Sequence, residues 1–175
     1  MIGIDPGLFE LFREEVRVHA DALSRGLLDV EADPGNPTRI EPLMRGAHSI
    51  KGACRIVGID LGVRLSHVME DALVAAQNGH IRLTPADIDT LLRGADVLSG
   101  LAELTPSTAN TWGDRNVAAV DALEPQFVAM ASGKPAPARA SGARAKDEES
   151  GSEEEGSEEK KADVFTPHSS LPLSP

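Results

Sequence analysis

The stretch RGAHSIKGACRIVG, from Arg45 to Gly58, places a glycine in the interior of a segment that has helical periodicity. Glycine costs a helix interior about 1 kcal/mol relative to alanine. Gly52 therefore needs a compensating reason, which is either close packing or open space. His48 lies four residues earlier, one helical turn away, so a glycine here leaves the imidazole uncrowded. We predict that access to His48 is the reason.

Apolar residues recur at steps of three and four in this segment and in three others, as in amphipathic helices. In the first segment, which opens at Asp5-Pro6, the predicted stripe is Leu8, Phe12, Val16, His19, Leu23, Leu27 and Val30. In the second it is Ile40, Leu43, Ala47, Ile50, Cys54 and Val57, and Gly58 ends the helix. The third stripe is Leu61, Leu65, Val68, Ala72 and Ala75, and the fourth is Ile88, Leu91, Ala95, Leu98 and Ala102.

The predicted helix starts rest on capping residues. Thr38 and Glu41 have the spacing of a capping box, although a proline follows at once, so the true start is expected a residue or two later. Asp60 is the predicted cap of the third helix. Thr84, with Asp87 three residues on, is the predicted start of the fourth.

Short loops between the last three of these helices predict antiparallel neighbours. The expected fold is all-α, an up-down four-helix bundle over about 5–104. A fifth helix is predicted at about 114–131, interrupted by Pro125. Residues 1–133 are then one domain. Residues 134–175 are rich in Pro, Ala, Gly, Ser and Glu, a composition that predicts a disordered linker.

Composition excludes several classes of function. The net charge of −11 disfavours binding to nucleic acid or to an anionic membrane. A single cysteine, Cys54, leaves neither an internal disulfide nor a multi-cysteine metal site. Aromatic residues make up 3% of the chain, which predicts a core of Leu, Val, Ile and Ala. With no signal peptide and no run of about 18 apolar residues, we expect a cytoplasmic protein.

His48 is the candidate reactive residue. On a helical wheel it lies about 120° from the apolar stripe, so it is expected to face solvent. Lys51, three residues on, lies at the edge of the stripe, where its ammonium can reach an anion attached to His48. An accessible imidazole beside a cation suits a phosphoryl acceptor, because the ring nitrogen attacks phosphorus and the cation offsets the phosphoryl oxygens.

The third helix carries His67 and Glu70 on its polar side. A carboxylate next to His48 would accept its Nδ1–H and leave Nε2 free to attack. The helical wheel does not show whether this side faces the second helix, so an exposed polar face is the alternative. His19 lies on the first apolar stripe and is interpreted as a core histidine without a chemical role.

Two other classes of function remain to be weighed. A metal site of His48, His67 and Glu70 is disfavoured, because neither helix carries an HExxH-type pair. A helical adaptor that docks a partner without covalent chemistry is the main alternative to a phosphoacceptor. An adaptor gives no reason for an exposed His-x-x-Lys-Gly turn.

Taken together, HSIKG (48–52), Gly58 and SHVMEDAL (66–73) resemble the histidine phosphotransfer (Hpt) domain at the N-terminus of CheA-type histidine kinases, over about 5–104. More closely, the stretch 47–79 resembles the CheA-like hybrid kinases of Wsp-type chemosensory pathways. Many relatives have a second glycine where this chain has Ala53.

The resemblance implies that His48 is phosphorylated, supported by Lys51, Gly52, His67 and Glu70. It implies two partners, a CheA-type kinase catalytic domain and response-regulator receiver domains. It implies no cofactor in this chain, since the kinase domain elsewhere uses ATP and Mg²⁺. We favour the N-terminal part of such a kinase over a free-standing transfer protein, because the acidic tail has the composition of an interdomain tether.

Overall fold

The computed structural model describes residues 5–33 and 36–134, and the secondary structure in these ranges is entirely helical. The helices are α1 (Pro6–Ala32), α2 (Pro37–Val57), α3 (Asp60–Gln77), α4 (Pro85–Ser99) and α5 (Ala109–Ala131), with a 3-10 helix at Gly100–Glu103. None of the helices in this part of the chain is both long and apolar enough to cross a bilayer. The predicted linker, apart from Lys134, lies outside the described residues.

Helices α1 to α4 form a closed bundle. α2 packs against α1 and α3, and α4 packs against α1 and α3, so that each helix has two neighbours. The predicted four-helix bundle is therefore confirmed. α5 lies mainly on α3 and also contacts α4. It begins earlier than predicted, at Ala109, and it continues through Pro125 to Ala131.

Three predicted helix signals are confirmed. Asp5 Oδ1 accepts the Leu8 N–H at 3.0 Å and caps α1. Thr84 and Asp87 form the capping box of α4. Gly58 ends α2 with φ of 74°, in the left-handed region that favours glycine. The chain then turns into α3 after one more residue.

Two predicted caps are wrong. α2 begins at Pro37, and Asn36 caps it by accepting from the Thr38 N–H at 3.1 Å. Proline suits the first position of a helix, so this start prevails, and the predicted pairing of Thr38 with Glu41 does not form. Asp60 is the first residue of α3 rather than its cap, and it makes no capping hydrogen bond.

The predicted stripe of α1 is partly wrong. Phe9 and Ala20 are buried, whereas Leu8 is exposed. His19 is half-buried at the edge of the core, and its Nε2 lies 3.0 Å from Glu15 Oε1, so it is not a core histidine. The other predicted residues, Phe12, Val16, Leu23, Leu27 and Val30, are buried, so each error is local: the buried residue is the next one along the helix, about 100° further round.

The core contains more aromatic side chains than the sequence composition predicts. Phe9, Phe12, Trp112 and Phe127 are all buried among the aliphatic side chains. Phe9 and Phe12 pack on each other with ring centroids 5.4 Å apart. Two of the four rings come from α5, which therefore completes the core.

Candidate functional site

His48 lies in the middle of α2 and points away from the core, as predicted, with 66% of its side chain exposed. Its Nδ1 lies 2.8 Å from Glu70 Oε1 on α3. Since a carboxylate is an acceptor, Nδ1–H is the donor of this hydrogen bond. The remaining ring nitrogen, Nε2, is then the unprotonated one in the neutral imidazole.

Glu70 is the centre of the site. Only 13% of its side chain is exposed, and Lys51 Nζ lies 2.5 Å from its second oxygen, Oε2. Burial raises the pKa of the Glu70 carboxyl, but the hydrogen bonds and charges of Lys51 and His48 outweigh this effect and hold it below its ordinary value. Glu70 is therefore an anion at neutral pH, and it binds both the imidazole and the ammonium group.

The lysine differs from its predicted arrangement in one respect. Lys51 is engaged by Glu70 and is mostly covered, so its ammonium is not a free surface charge. The Lys51–Glu70 contact links α2 to α3 directly beside the imidazole.

Gly52 is open rather than closely packed. A Cβ added to it would meet no atom within 4 Å beyond its own helix and neighbours. Packing therefore does not explain this glycine, and access to His48 stays the predicted reason.

His67 is not brought to His48. Its side chain is exposed, and its Nε2 lies 3.6 Å from Asp71 Oδ2 on its own helix. No contact among the described residues joins it to His48 or Lys51. The wheel placed His67 and Glu70 on one polar side, but only Glu70 is turned towards α2.

A groove beside His48 was missed by the sequence reasoning. It has a volume of about 350 Å³ and runs between α1 and α2. Its lining, here called the α1–α2 groove, is Leu8, Leu11, Phe12, Glu15, His48, Ser49, Gly52, Ala53 and Ile56. Leu11 and Ile56 are 65% and 67% exposed, the highest values among the large apolar residues of the described chain. Both residues lie off the predicted apolar stripes. Large apolar residues at such positions are the sequence signal that could have indicated the groove.

Metal and thiol chemistry find no support in the described part of the chain. It holds no group of three or more His, Cys, Asp or Glu residues that could bind a metal ion. Cys54 is buried in the core, and burial raises the pKa of its thiol to about 12. A thiol of this kind is not a nucleophile near neutral pH.

A model of the Hpt domain family matches residues 7–104. The chain belongs to this family. Its bundle, with an exposed histidine held by a carboxylate from the next helix, is an Hpt domain. The match ends at the 3-10 helix, so α5 lies beyond it.

Curated relatives include chemotaxis and motility proteins. The Hpt chain is 30% identical over 108 residues to the chemotaxis protein CheA of Halobacterium salinarum, which covers 62% of this chain and 16% of the relative. It is 34% identical over 109 residues to a gliding motility regulatory protein of Myxococcus xanthus, with 62% of this chain and 14% of the relative covered. The chain therefore spans only a small part of the length of these relatives.

Solved structures share the fold. The phosphorylated P1 domain of CheA3, in complex with CheY6 from R. sphaeroides, matches with a TM-score of 0.61 at 22% identity, over 72% of this chain and 99% of that one. The histidine phosphotransfer domain of CheA matches with a TM-score of 0.58 at 21% identity, over 69% and 88% of the two chains. The fold is thus that of CheA phosphotransfer domains.

Proposed function

We propose that His48 accepts a phosphoryl group from a CheA-type kinase catalytic domain and passes it to an aspartate of a response-regulator receiver domain. The observation that carries this proposal is the hydrogen bond of 2.8 Å from His48 Nδ1 to Glu70, which leaves Nε2 exposed as the unprotonated nitrogen. Lys51, Gly52 and Glu70 are proposed as its supporting residues. His67, which pairs with Asp71, is proposed to act only at the edge of the site.

In the first step, the lone pair of Nε2 forms a bond to the γ-phosphorus of ATP while the bond from phosphorus to the bridging oxygen breaks. ADP leaves, and the ring becomes positively charged. Glu70 stabilises this charge through the Nδ1–H bond, or accepts that proton. ATP and Mg²⁺ are supplied by the kinase domain, so the Hpt domain itself needs no cofactor.

In the second step, a carboxylate oxygen of the receiver aspartate attacks the phosphorus and the N–P bond breaks. The imidazole returns to its neutral form with Nδ1–H bonded to Glu70. The clearance at Gly52 serves both steps, because two different protein surfaces must approach the same nitrogen.

The relatives also suggest a role for the whole protein. Curated relatives of this Hpt domain include CheA chemotaxis proteins, and we propose that it acts as the N-terminal part of a CheA-like hybrid kinase. Assignment to a Wsp-type pathway stays a prediction. The alternative, a helical adaptor without covalent chemistry, gives no reason for the His48–Glu70–Lys51 arrangement.

The test combines the full chain with a CheA-type catalytic core and labelled ATP. The native protein should acquire acid-labile label, and His48→Gln should acquire none while circular dichroism shows an unchanged fold. His80→Gln removes an exposed histidine outside the site and is the matched control. Label on folded His48→Gln would refute the phosphoacceptor assignment and favour the adaptor.

A further inference from the structure

The charged groups beside His48 already balance each other in the unphosphorylated protein. Glu70 is matched by Lys51, whose Nζ lies 2.5 Å from Oε2 and whose side chain is only 18% exposed. The phosphoryl group of the proposed reaction brings further negative charge, which is spread over three oxygens in the transition state. Since Glu70 already neutralises Lys51, a second cation would stabilise the phosphorylated site.

Helix α2 itself supplies a cation without a partner. It carries four Lys or Arg residues, and three of them are engaged: Arg39 with the carbonyl of Asp29, Arg45 with Glu41, and Lys51 with Glu70. The fourth, Arg55, is exposed, and no hydrogen bond or ion pair joins its guanidinium to another residue in the described ranges. Arg55 is therefore the basic residue of α2 that is available to bind an anion.

Arg55 lies on the same face of α2 as His48. Seven residues make almost two helical turns, so the two side chains leave the helix within about 20° of each other, about 10.5 Å apart along its axis. Side chains on a helix lean towards its N-terminus. The long side chain of Arg55 accordingly extends back towards His48 rather than away from it.

The turn between these two residues is occupied by Gly52. It is exposed, and a Cβ placed on it would meet no atom within 4 Å outside its own helix and neighbours. This open turn leaves room for a guanidinium from one side and for phosphoryl oxygens from the other. The planar fork of N–H donors in a guanidinium matches the oxygens of a phosphoryl group, which a single ammonium does not.

We propose that Arg55 is a phosphoryl-binding residue of this site, which reaches back across Gly52 and donates hydrogen bonds to the phosphoryl oxygens on His48 Nε2. This inference rests on the proposed function. The contact forms together with the N–P bond and is lost when the phosphoryl group leaves, and Arg55 keeps all its protons throughout. The alternative is a purely structural role, because a cation in the last turn of a helix interacts favourably with the helix dipole.

The first experiment measures how fast phosphoramidate, a small phosphoryl donor, phosphorylates His48 in the full chain, with His48→Gln as the background. Arg55→Gln should lower the second-order rate constant by about tenfold, the lower end of the range for hydrogen bonds to charged groups. Arg55→Lys should recover part of this loss, because it keeps the charge without the planar fork.

Arg82→Gln is the matched control for the loss of one positive charge. Arg82 is also exposed and also lacks a partner among the described residues, but it lies in the loop before α4. Its loss should change the rate by less than about threefold, since salt screens distant exposed charges. Equal losses in Arg55→Gln and Arg82→Gln would overturn the proposal. A lower melting temperature of Arg55→Gln with an unchanged rate would also overturn it, in favour of the structural role.

A second experiment tests the contact itself by nuclear magnetic resonance. The Nε–H signal of Arg55, identified by its loss in Arg55→Lys, is followed in proton–nitrogen correlation spectra as the native protein is phosphorylated. This signal should shift on phosphorylation, and that of Arg82 should not. An Arg55 signal that stays in place, or a shift confined to Arg45, would contradict the proposal. Failure of native His48 to accept a phosphoryl group from both phosphoramidate and a CheA-type kinase core would refute the proposed function instead.

Discussion

Among single residues, Glu70 holds the site together, because each of its oxygens binds a different group of α2. Its carboxylate orients the imidazole of His48 and neutralises Lys51. Removing it would leave the tautomer of His48 undetermined and an ammonium group mostly covered without its partner.

Glu70→Ala should therefore slow phosphorylation of His48 by about 10²-fold, the lower end of the range for orienting and acid–base contacts. Asp71→Ala is the matched control, because Asp71 is the next residue on α3 and contacts His67 rather than His48. Rates are compared under single-turnover conditions with a CheA-type core. Equal rates for the two variants would remove Glu70 from the reaction.

Gly52 allows a test of whether phosphoryl transfer needs open space beside His48. Gly52→Ala meets open space and should keep transfer while stabilising the helix by up to about 1 kcal/mol. Gly52→Gln should keep the helix but lower the transfer rate, because its side chain lies one turn from the imidazole.

Gly113→Gln is the control for the helical effect of this substitution, since Gly113 of α5 is equally open. Transfer rates and thermal unfolding are measured for all three variants. A Gly52→Gln protein that transfers at the native rate would show that clearance is not the reason for this glycine.

At the scale of elements, α5 stands apart because it lies outside the matched residues 7–104 yet supplies part of the core. It rests on α3, the helix that carries Glu70. Arg64 of α3 also reaches it, with its Nε 3.2 Å from Glu124 and its guanidinium bonded to Asp121. We interpret α5 as a structural support for α3.

Phe127→Ala should lower the free energy of unfolding by about 3–5 kcal/mol, as large-to-small changes in a core do, since Phe127 is fully buried. Val128→Ala, next to it and exposed, should change stability by less than about 0.5 kcal/mol. Both are measured by denaturant unfolding. Below its melting temperature, Phe127→Ala should still accept phosphate on His48, and loss of transfer in the folded variant would give α5 a direct role.

At the scale of the whole molecule, the low pKa of Glu70 links stability to pH. The carboxyl is held below its ordinary value in the folded protein, so the unfolded chain binds its proton more readily. The contribution of Glu70 is therefore complete above the unfolded pKa of about 4.3, and it is lost as the pH falls through the lower folded value.

The melting temperature of the native protein should accordingly exceed that of Glu70→Gln at pH 7, and the difference should shrink as the pH is lowered below about 4. Scanning calorimetry of both proteins over this range gives the difference directly, because the remaining carboxylates are common to both. A difference that is constant with pH would contradict the ionised Glu70 of the site.

Sequence reasoning succeeded where a property depends on neighbours along one helix. The exposure of His48, the open turn at Gly52 and the ends of α1, α2 and α4 at Asp5, Gly58 and Thr84 all follow from spacing within about one turn. It was less reliable where two local signals compete, as at the start of α2, where Asn36-Pro37 prevailed over Thr38.

The sequence by itself therefore determined the class of fold, the order of the helices and the exposure of His48, because helical periodicity is a local property. Only the tertiary structure decided which polar residue of α3 reaches His48. A helical wheel places Glu70 and His67 on one side, but the rotation of α3 against α2 turns Glu70 inward and leaves His67 beside Asp71. The α1–α2 groove has the same origin, since it exists only where the exposed faces of two helices meet, and no single helix encodes that meeting.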